Sequence, residues 1–582
     1  MKKHIFLMSV VTVCILYSQM FEVVNSSLPG LTESTSVWGD FNNDGLLDLF
    51  MAGKTSDGTI VSKLYRNDGN YQYTEINAGI TGVIHGSAAW GDYNNNGYAD
   101  LLLMGKYVDW DYEYYTIAKI YKNNGDGTFT DINVPLQNMA YGKALWFDYD
   151  NDGLLDIILT GYNYVYNFSF GGYFERYTKL YKNMGNDSFI EIPTIMENIS
   201  GSSLDIGDYN NNGFKDILIS GYDGSTKFTK IFRNNGDGTF TDINADLLSV
   251  YPGTVLWGDY NSDGLLDVLI SGETSQGYAT KIYRNDSNDV FTDINANLPG
   301  IKYANAVWAD YNNDGHLNVI ITGELPQGEY SYMYRYDGND TFTEIPGFIH
   351  WLDAVTHGNI SHTINFSNRT LDMLLCGRIS GGYPGTFIYR NNSGEYSQPF
   401  APSNLNASQK GDNITLTWSK GHSTQTPQNA LTYNLYIRTE GNPNNIVASL
   451  SSIPQGRRRI VSGGNAFHNT EWTIKDLPDG TYYWSVQTLD NRFIGSSFAT
   501  EQSFTKITLN APLNPQITYL ASGEVNLIWD EVSNAGSYKV FASDDPSGDF
   551  TDVSDEGLFE GLGWTAPGAE IKRFYYVVAV SE

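Results

Sequence analysis

The sequence predicts an all-β fold, a seven-bladed β-propeller followed by two β-sandwiches. Three observations predict it. The string Trp-Gly-Asp-Phe-Asn-Asn-Asp-Gly-Leu-Leu-Asp begins at Trp38 and recurs with small changes at Trp90, Trp146, Trp257 and Trp308, with a copy at Ile206 that lacks the Trp. Apolar runs close at Gly53, Gly105, Gly161, Gly221, Gly272, Gly323 and Gly377. Each is followed by a strand of the KIYRN type, whose ring is Tyr65, Tyr121, Tyr181, Phe232, Tyr283, Tyr334 or Tyr389. Aromatics make up 14% of the 582 residues and no segment keeps a long helical period.

In chain order, Lys2 and Lys3 precede an apolar run, Ile5 to Tyr17, that is too short to span a bilayer, so residues 1–20 read as a secretion signal. Cys14 as a lipid anchor is disfavoured by the bulky Val13 before it. Residues 21–398 hold seven units, each of four short strands separated by Gly, Asn and Asp turns. One unit cannot bury both faces of its sheet, so the units are expected to close into a ring. FEVVNSSLPGL from Phe21 matches FTDINANLPGI from Phe291, so Phe21–Asn25 is expected to complete the seventh unit, with the segment around Tyr396 as the alternative.

The loop between the first two strands of each unit carries the chemistry. In the first, Asp40, Asn42 and Asp44 alternate, Gly45 follows, Leu46 offers a backbone carbonyl and Asp48 closes the set. Oxygen-bearing side chains at positions one, three and five face one concavity, and the Gly permits the turn that brings position nine round. Such an all-oxygen set suits a hard cation, Ca²⁺ better than Mg²⁺ in a dehydrated cage. The corresponding sets are Asp92, Asn94, Asn96, Tyr98 and Asp100; Asp148, Asp150, Asp152, Leu154 and Asp156; and Asp208, Asn210, Asn212, Phe214 and Asp216. They continue with Asp259, Asn261, Asp263, Leu265 and Asp267, then Asp310, Asn312, Asp314, His316 and Asn318. Asn318 replaces the last acid, which predicts weaker binding, and His357 to Arg369 of the seventh unit keeps neither spacing nor acids. Five to six structural Ca²⁺ ions are expected.

Net charge is −31. A polyanion is repelled by nucleic acid and by anionic membranes, and part of the acidity is accounted for as cation ligands. Beyond the signal the one cysteine is Cys376, so cores and metal rather than disulfides must supply stability.

The WGDxNxDGxxD loop followed by an apolar strand ending in Gly resembles the FG-GAP/VCBS repeat, the unit of the integrin α-subunit propeller, over roughly residues 21 to 395. The resemblance implies a seven-bladed propeller, calcium in these loops, and adhesion or ligand binding on the opposite face. Residues 401–507 resemble a fibronectin type III domain. Trp418 lies in LTLTW, TYNLYIR surrounds Tyr433, and LPDGTYYWSV from Leu477 is similar to a tyrosine-corner strand. A second such unit spans 511–582, with Trp529 and RFYYVVAV, and ends where a last strand is expected.

Function is read as non-catalytic recognition by a monomeric secreted or cell-surface protein without a transmembrane segment. The ligand, a glycan or a protein, is expected on long aromatic hairpins opposite the calcium loops. These are Tyr107, Trp110, Tyr112, Tyr114 and Tyr115 in the second unit, and Tyr164, Tyr166, Phe168 and Tyr173 in the third. A lyase-like, polysaccharide-degrading propeller and a display scaffold are the alternatives. His350, His357 and His362 read as scattered loop histidines, and Arg457, Arg458 and Arg459 as an exposed sandwich loop. No Gly-x-Ser-x-Gly or His-Glu-x-x-His motif is present.

Overall fold

The computed structural model describes residues 21–24, 26–108, 114–167, 171–325, 328–345, 363–365, 372–378, 383–393, 397–441, 446–533, 535–568 and 573–580. The secretion-signal reading of residues 1–20, the three histidines, and the degenerate loop of the seventh unit up to Arg369 all lie outside these, apart from residues 363–365. Tyr396, Trp110, Tyr112 and Phe168 also lie outside them. By internal packing the chain divides into two compact units, residues 1–408, 415–475 and 483–503, and residues 409–414, 476–482 and 504–582. Among the described residues no helix is long and apolar enough to cross a membrane.

Among the described residues the first unit contains seven four-stranded antiparallel sheets, here numbered I to VII. Sheet I is Thr32–Gly39, Asp48–Lys54, Ile60–Asn67 and Tyr73–Ile76, and sheets II to VI repeat that meander. The second strand of each is apolar on both faces because both faces are buried, as in Asp100–Val108, where Leu101 to Leu103 are inaccessible. Sheet VII is made of Thr363–Asn365, Asp372–Arg378 and Pro384–Asn391, and its fourth strand is Phe21–Val24 from the start of the chain. Phe21 pairs with Asn391 and Val24 with Ile388, as the match to the Phe291 segment predicts.

Each sheet packs on the next. Trp90 of sheet II sits against sheet I so closely that a Cβ on Gly39 would lie 2.6 Å from its ring, and Gly91 meets Trp146 of sheet III in the same way. This is the physical reason for Trp-Gly in the repeat. Where sheet IV carries Ile206 in place of Trp, the preceding sheet carries buried Phe147 in place of Gly, filling the vacated volume. Sheet VII packs on sheet VI through Met373, Leu375 and Tyr389 against Tyr311, Ile320 and Met333. It also packs on sheet I through Leu374, Cys376 and Ile388 against Trp38, Leu49 and Met51.

Strands from Ser403 to Lys506 form two three-stranded sheets. Trp418, Tyr433 and Trp484 pack at ring distances of 5.8 and 6.3 Å. In the second unit the Tyr482 hydroxyl donates to the Pro478 carbonyl at 2.7 Å, the tyrosine corner read from the sequence. Strands from Gln516 to Val580 form a four-stranded and a three-stranded sheet around Trp529, Val540 and Trp564.

Candidate functional site

The six loops share one hydrogen-bond scheme. The first Asp accepts through one oxygen from the N–H of position five and through the other from the Gly N–H. For Asp40 these bonds are 3.0 Å from Asp44 and 2.9 Å from Gly45, and for Asp259 they are 3.0 Å from Asp263 and 2.9 Å from Gly264. Position five in turn accepts from position seven, as in Leu46 to Asp44 at 2.8 Å and His316 to Asp314 at 3.0 Å. The loop backbone thus turns the side-chain oxygens at positions one and five, carboxylate or amide, toward its own interior.

Position nine is wholly buried in every loop. Asp156 accepts from the backbone N–H groups of Tyr149 at 3.1 Å and Asn183 at 2.8 Å. Asp48, Asp216 and Asp267 repeat this, with Asn67, Asn234 and Asn285 as partners. Asp372 keeps the bond to Asn391 at 2.9 Å in sheet VII, whose sequence has no acidic loop, so this carboxylate also staples strands together. In loop VI Asn318 accepts from Tyr311 at 3.1 Å, but its amide nitrogen is buried without a partner.

Crowding of buried carboxylates sets the electrostatics. Desolvation, reinforced by neighbouring acids, pushes Asp148, Asp259 and Asp310 up to about 7 and Asp48 up to about 8. Asp216 also rises to about 8, through burial and then the nearby Asp208. Asp156 and Asp267 are held well above the carboxylate range by burial first. Asp148, Asp150 and Asp156 bring one oxygen each within 4.8 Å of one another, and Asp150 Oδ1 is buried without a hydrogen bond. Lys182 Nζ pairs with Asp150 and, at 3.1 Å, with Asp152, so one cationic group already sits on this loop. Converging hard oxygens and an unpartnered buried carboxylate oxygen fit a divalent cation.

Position four was not among the residues expected to act. Asn43, Asn95, Asn151 and Asn211 hold left-handed backbone, with φ of 60°, 55°, 60° and 55°. Each donates through Nδ2 to the Gly carbonyl of the next loop, at 2.9, 3.0, 2.9 and 2.8 Å. Asn at this position in five of six loops is a visible signal, since Asn tolerates that backbone, but its partner lies a whole repeat away. Asn123, Asn183, Asn234 and Asn285 add a second row of ties, for example Asn183 Nδ2 to the Tyr93 carbonyl at 2.8 Å.

Residues of the first sandwich meet these loops within the same unit. Asp40 N–H donates to the Arg459 carbonyl at 2.9 Å, and the Arg459 guanidinium donates to the Gly97 carbonyl. Asn95 donates to the Ile446 carbonyl at 2.7 Å, Lys475 N–H donates to the Asn151 carbonyl at 3.3 Å, and Asn469 Nδ2 donates to Asp208 Oδ2 at 2.7 Å. His468 Nε2 lies 3.8 Å from Asp259 Oδ2, and Asn491 donates to the Gly315 carbonyl at 2.9 Å. Arg457 to Arg459 do not form the exposed loop expected from the charge run. Arg457 is exposed, but Arg458 and Arg459 are only 5% and 6% exposed, because their guanidiniums find carbonyl and hydroxyl acceptors on the sandwich and, for Arg459, on loops I and II.

At the other end of the strands lies an aromatic row. The hairpin of sheet III, Asp156–Asn167 with Gly171–Asn183, extends beyond its neighbours. His85 stacks on Tyr141 at 4.1 Å, Tyr141 on Tyr162 at 4.8 Å, and Phe174 contacts Tyr162 at 4.7 Å and Tyr164 at 5.4 Å. Glu33 pairs with His85 at 3.1 Å. Tyr107 packs on Tyr115 at 5.8 Å and Lys106 Nζ lies 3.9 Å over the Tyr114 ring. Tyr114, Tyr115, Tyr164, Tyr173 and Phe174 are exposed. Tyr166 lies on the hairpin backbone, paired with Gly172. His85 and Tyr141 were missed in the sequence because His85 belongs to a first strand and Tyr141 to the bend before one, not to the long hairpins.

The family model of the FG-GAP-like repeat matches residues 40–103, 148–219, 208–270 and 259–321, segments that contain all six loops, so the chain carries four FG-GAP-like repeats. Among solved structures it is similar to the chicken CNTN1 FN1–FN3 domains, at 13% identity and a TM-score of 0.24, covering 48% of this chain and 92% of that one. It is also similar to a two-domain fibronectin type III segment of chicken tenascin, at 12% identity and a TM-score of 0.13, covering 31% and 91%. No curated protein matches the sequence.

Proposed function

We propose that this chain is a secreted or cell-surface, calcium-loaded seven-bladed propeller that binds a glycan or protein ligand without catalysis. The order in which sheets I to VII pack, with sheet VII against both VI and I, supports ring closure. Loops I to V each hold one Ca²⁺ through the side chains of positions one, three, five and nine and the backbone carbonyl of position seven. Loop VI, with the neutral Asn318, holds its ion more weakly. The ions neutralise carboxylates that burial would otherwise force to carry protons.

One observation carries the recognition reading. Sandwich residues occupy the loop end of the sheets, whereas the exposed rings of Tyr114, Tyr115, Tyr164, Tyr173 and Phe174 stand at the other end. Stacked and exposed rings of this kind suit the apolar face of a sugar or a protein side chain. The test is a glycan array run with calcium and with chelator, repeated with Tyr164→Ala and Phe174→Ala. Calcium-dependent signal lost in both variants supports a glycan ligand. Signal that survives both substitutions overturns the assignment of this surface.

A further inference from the structure

We infer that the first sandwich supplies the outer shell of the cation loops, so that ion occupancy and seating of the sandwich are coupled. The inference rests on the calcium reading above.

The contacts are addressed to the parts of each loop that a cation organises. Asn469 Nδ2 donates to Asp208 Oδ2 at 2.7 Å, directly on the first acid of loop IV. Asp310 N–H donates to the Asn491 carbonyl at 3.2 Å, while Asn491 Nδ2 donates to the Gly315 carbonyl at 2.9 Å, so one sandwich residue grips both ends of the loop VI turn. Asn95, the position-four residue of loop II, donates to the Ile446 carbonyl at 2.7 Å and accepts from Ala448 N–H at 3.1 Å. The Arg492 guanidinium reaches Asn313, its counterpart in loop VI. These bonds require the left-handed backbone at Asn95 and Asn313, with φ of 55° and 63°.

A cation drawn between positions one, three, five and nine relieves the repulsion that would open this turn. Without it the loop relaxes and its groups leave the sandwich. In the reverse direction, donors behind the ligating carboxylates orient them and raise affinity, as outer-shell partners do in metal sites generally. The two effects are one coupling free energy and are reciprocal. Asn469 and Asn491 are therefore positioning residues, each for its own loop. Both are neutral, so removing either side chain leaves the charge of the site unchanged.

The test is hydrogen–deuterium exchange of the full chain as calcium is titrated into chelator-treated protein. In the wild type, loop peptides and residues 446–450 and 489–493 gain protection together. Asn469→Ala raises the calcium midpoint of the peptide covering 208–216 by about fivefold and leaves 310–318 in place, while Asn491→Ala does the opposite. Midpoints that move together in all loops would mark a general loss of stability and overturn the inference. So would loops that gain protection while the sandwich segments exchange unchanged. If no loop responds to calcium, the calcium reading falls as well, which separates the two failures.

Discussion

Asp156 Oδ1 accepts a hydrogen bond from the backbone N–H of Asn183 at 2.8 Å. Through this pair, the acid that closes loop III holds the third strand of its sheet, while the Asn183 amide reaches back to the Tyr93 carbonyl of loop II at 2.8 Å and the Leu155 carbonyl at 3.1 Å. Both residues are buried, so each lost bond strands a desolvated group.

Asn183→Ala therefore leaves one buried and one half-buried carbonyl without this donor and costs about 1–3 kcal/mol. Urea unfolding at saturating calcium measures it. A loss below about 0.5 kcal/mol would show that the tie is incidental to stability.

Sheet packing makes an opposite pair of predictions at equivalent positions. A Cβ on Gly91 would lie 2.6 Å from the Trp146 ring and 2.9 Å from Leu155, so Gly91→Ala overpacks the junction and costs about 1–3 kcal/mol. Phe147→Ala opens a cavity against sheet IV and costs about 3–5 kcal/mol. Thermal unfolding that leaves both variants at the wild-type midpoint would refute the Trp-Gly account.

The loops predict a stability that falls with rising pH when metal is absent. Asp148 and Asp259 are raised to about 7 and Asp48 and Asp216 to about 8, whereas unfolded Asp titrates near 3.9. Between those limits the folded state holds more protons than the unfolded state, so stability is fullest at the acid end and is lost as pH rises through 7 to 8. In chelator, the urea midpoint at pH 5 should exceed that at pH 8. On the proposed calcium reading, the ion should displace the same protons, so its affinity should rise across this window and binding should release protons, which calorimetry in two buffers would detect. A midpoint that climbs from pH 5 to pH 8 in chelator contradicts the proposed crowding.

Calcium itself should act as a stabiliser. With extracellular-type affinities, 1 mM calcium contributes about 0.4–1.4 kcal/mol per ion, hence about 2–7 kcal/mol for five loops. Chelation should lower the unfolding midpoint and magnesium should restore little of it. Full restoration by magnesium would argue against the dehydrated all-oxygen cage.

The sequence alone determined the repeat, because burial on both faces demands an apolar second strand and a tight turn demands Gly and Asn at set places. It also determined the loop acids, whose alternation is a property of neighbouring residues, and the pairing of Phe21–Val24 with the last sheet, since that segment copies the outer strand of another unit. Tertiary structure alone decided which partners those residues meet. Arg458 and Arg459 read as a solvated charge run until the acceptors of Ser451, Ser462 and Gly97 were brought to them. His85 joins Tyr141 only because the bend leading into the first strand of sheet III is tied to sheet II, the Tyr141 N–H donating to the His85 carbonyl at 3.0 Å. Asn95 and Ile446 are 351 residues apart and nothing local marks them as a pair. The physical reason is that local patterning governs backbone conformation and burial. The acceptor of a buried donor is supplied by whichever chain segment packs there.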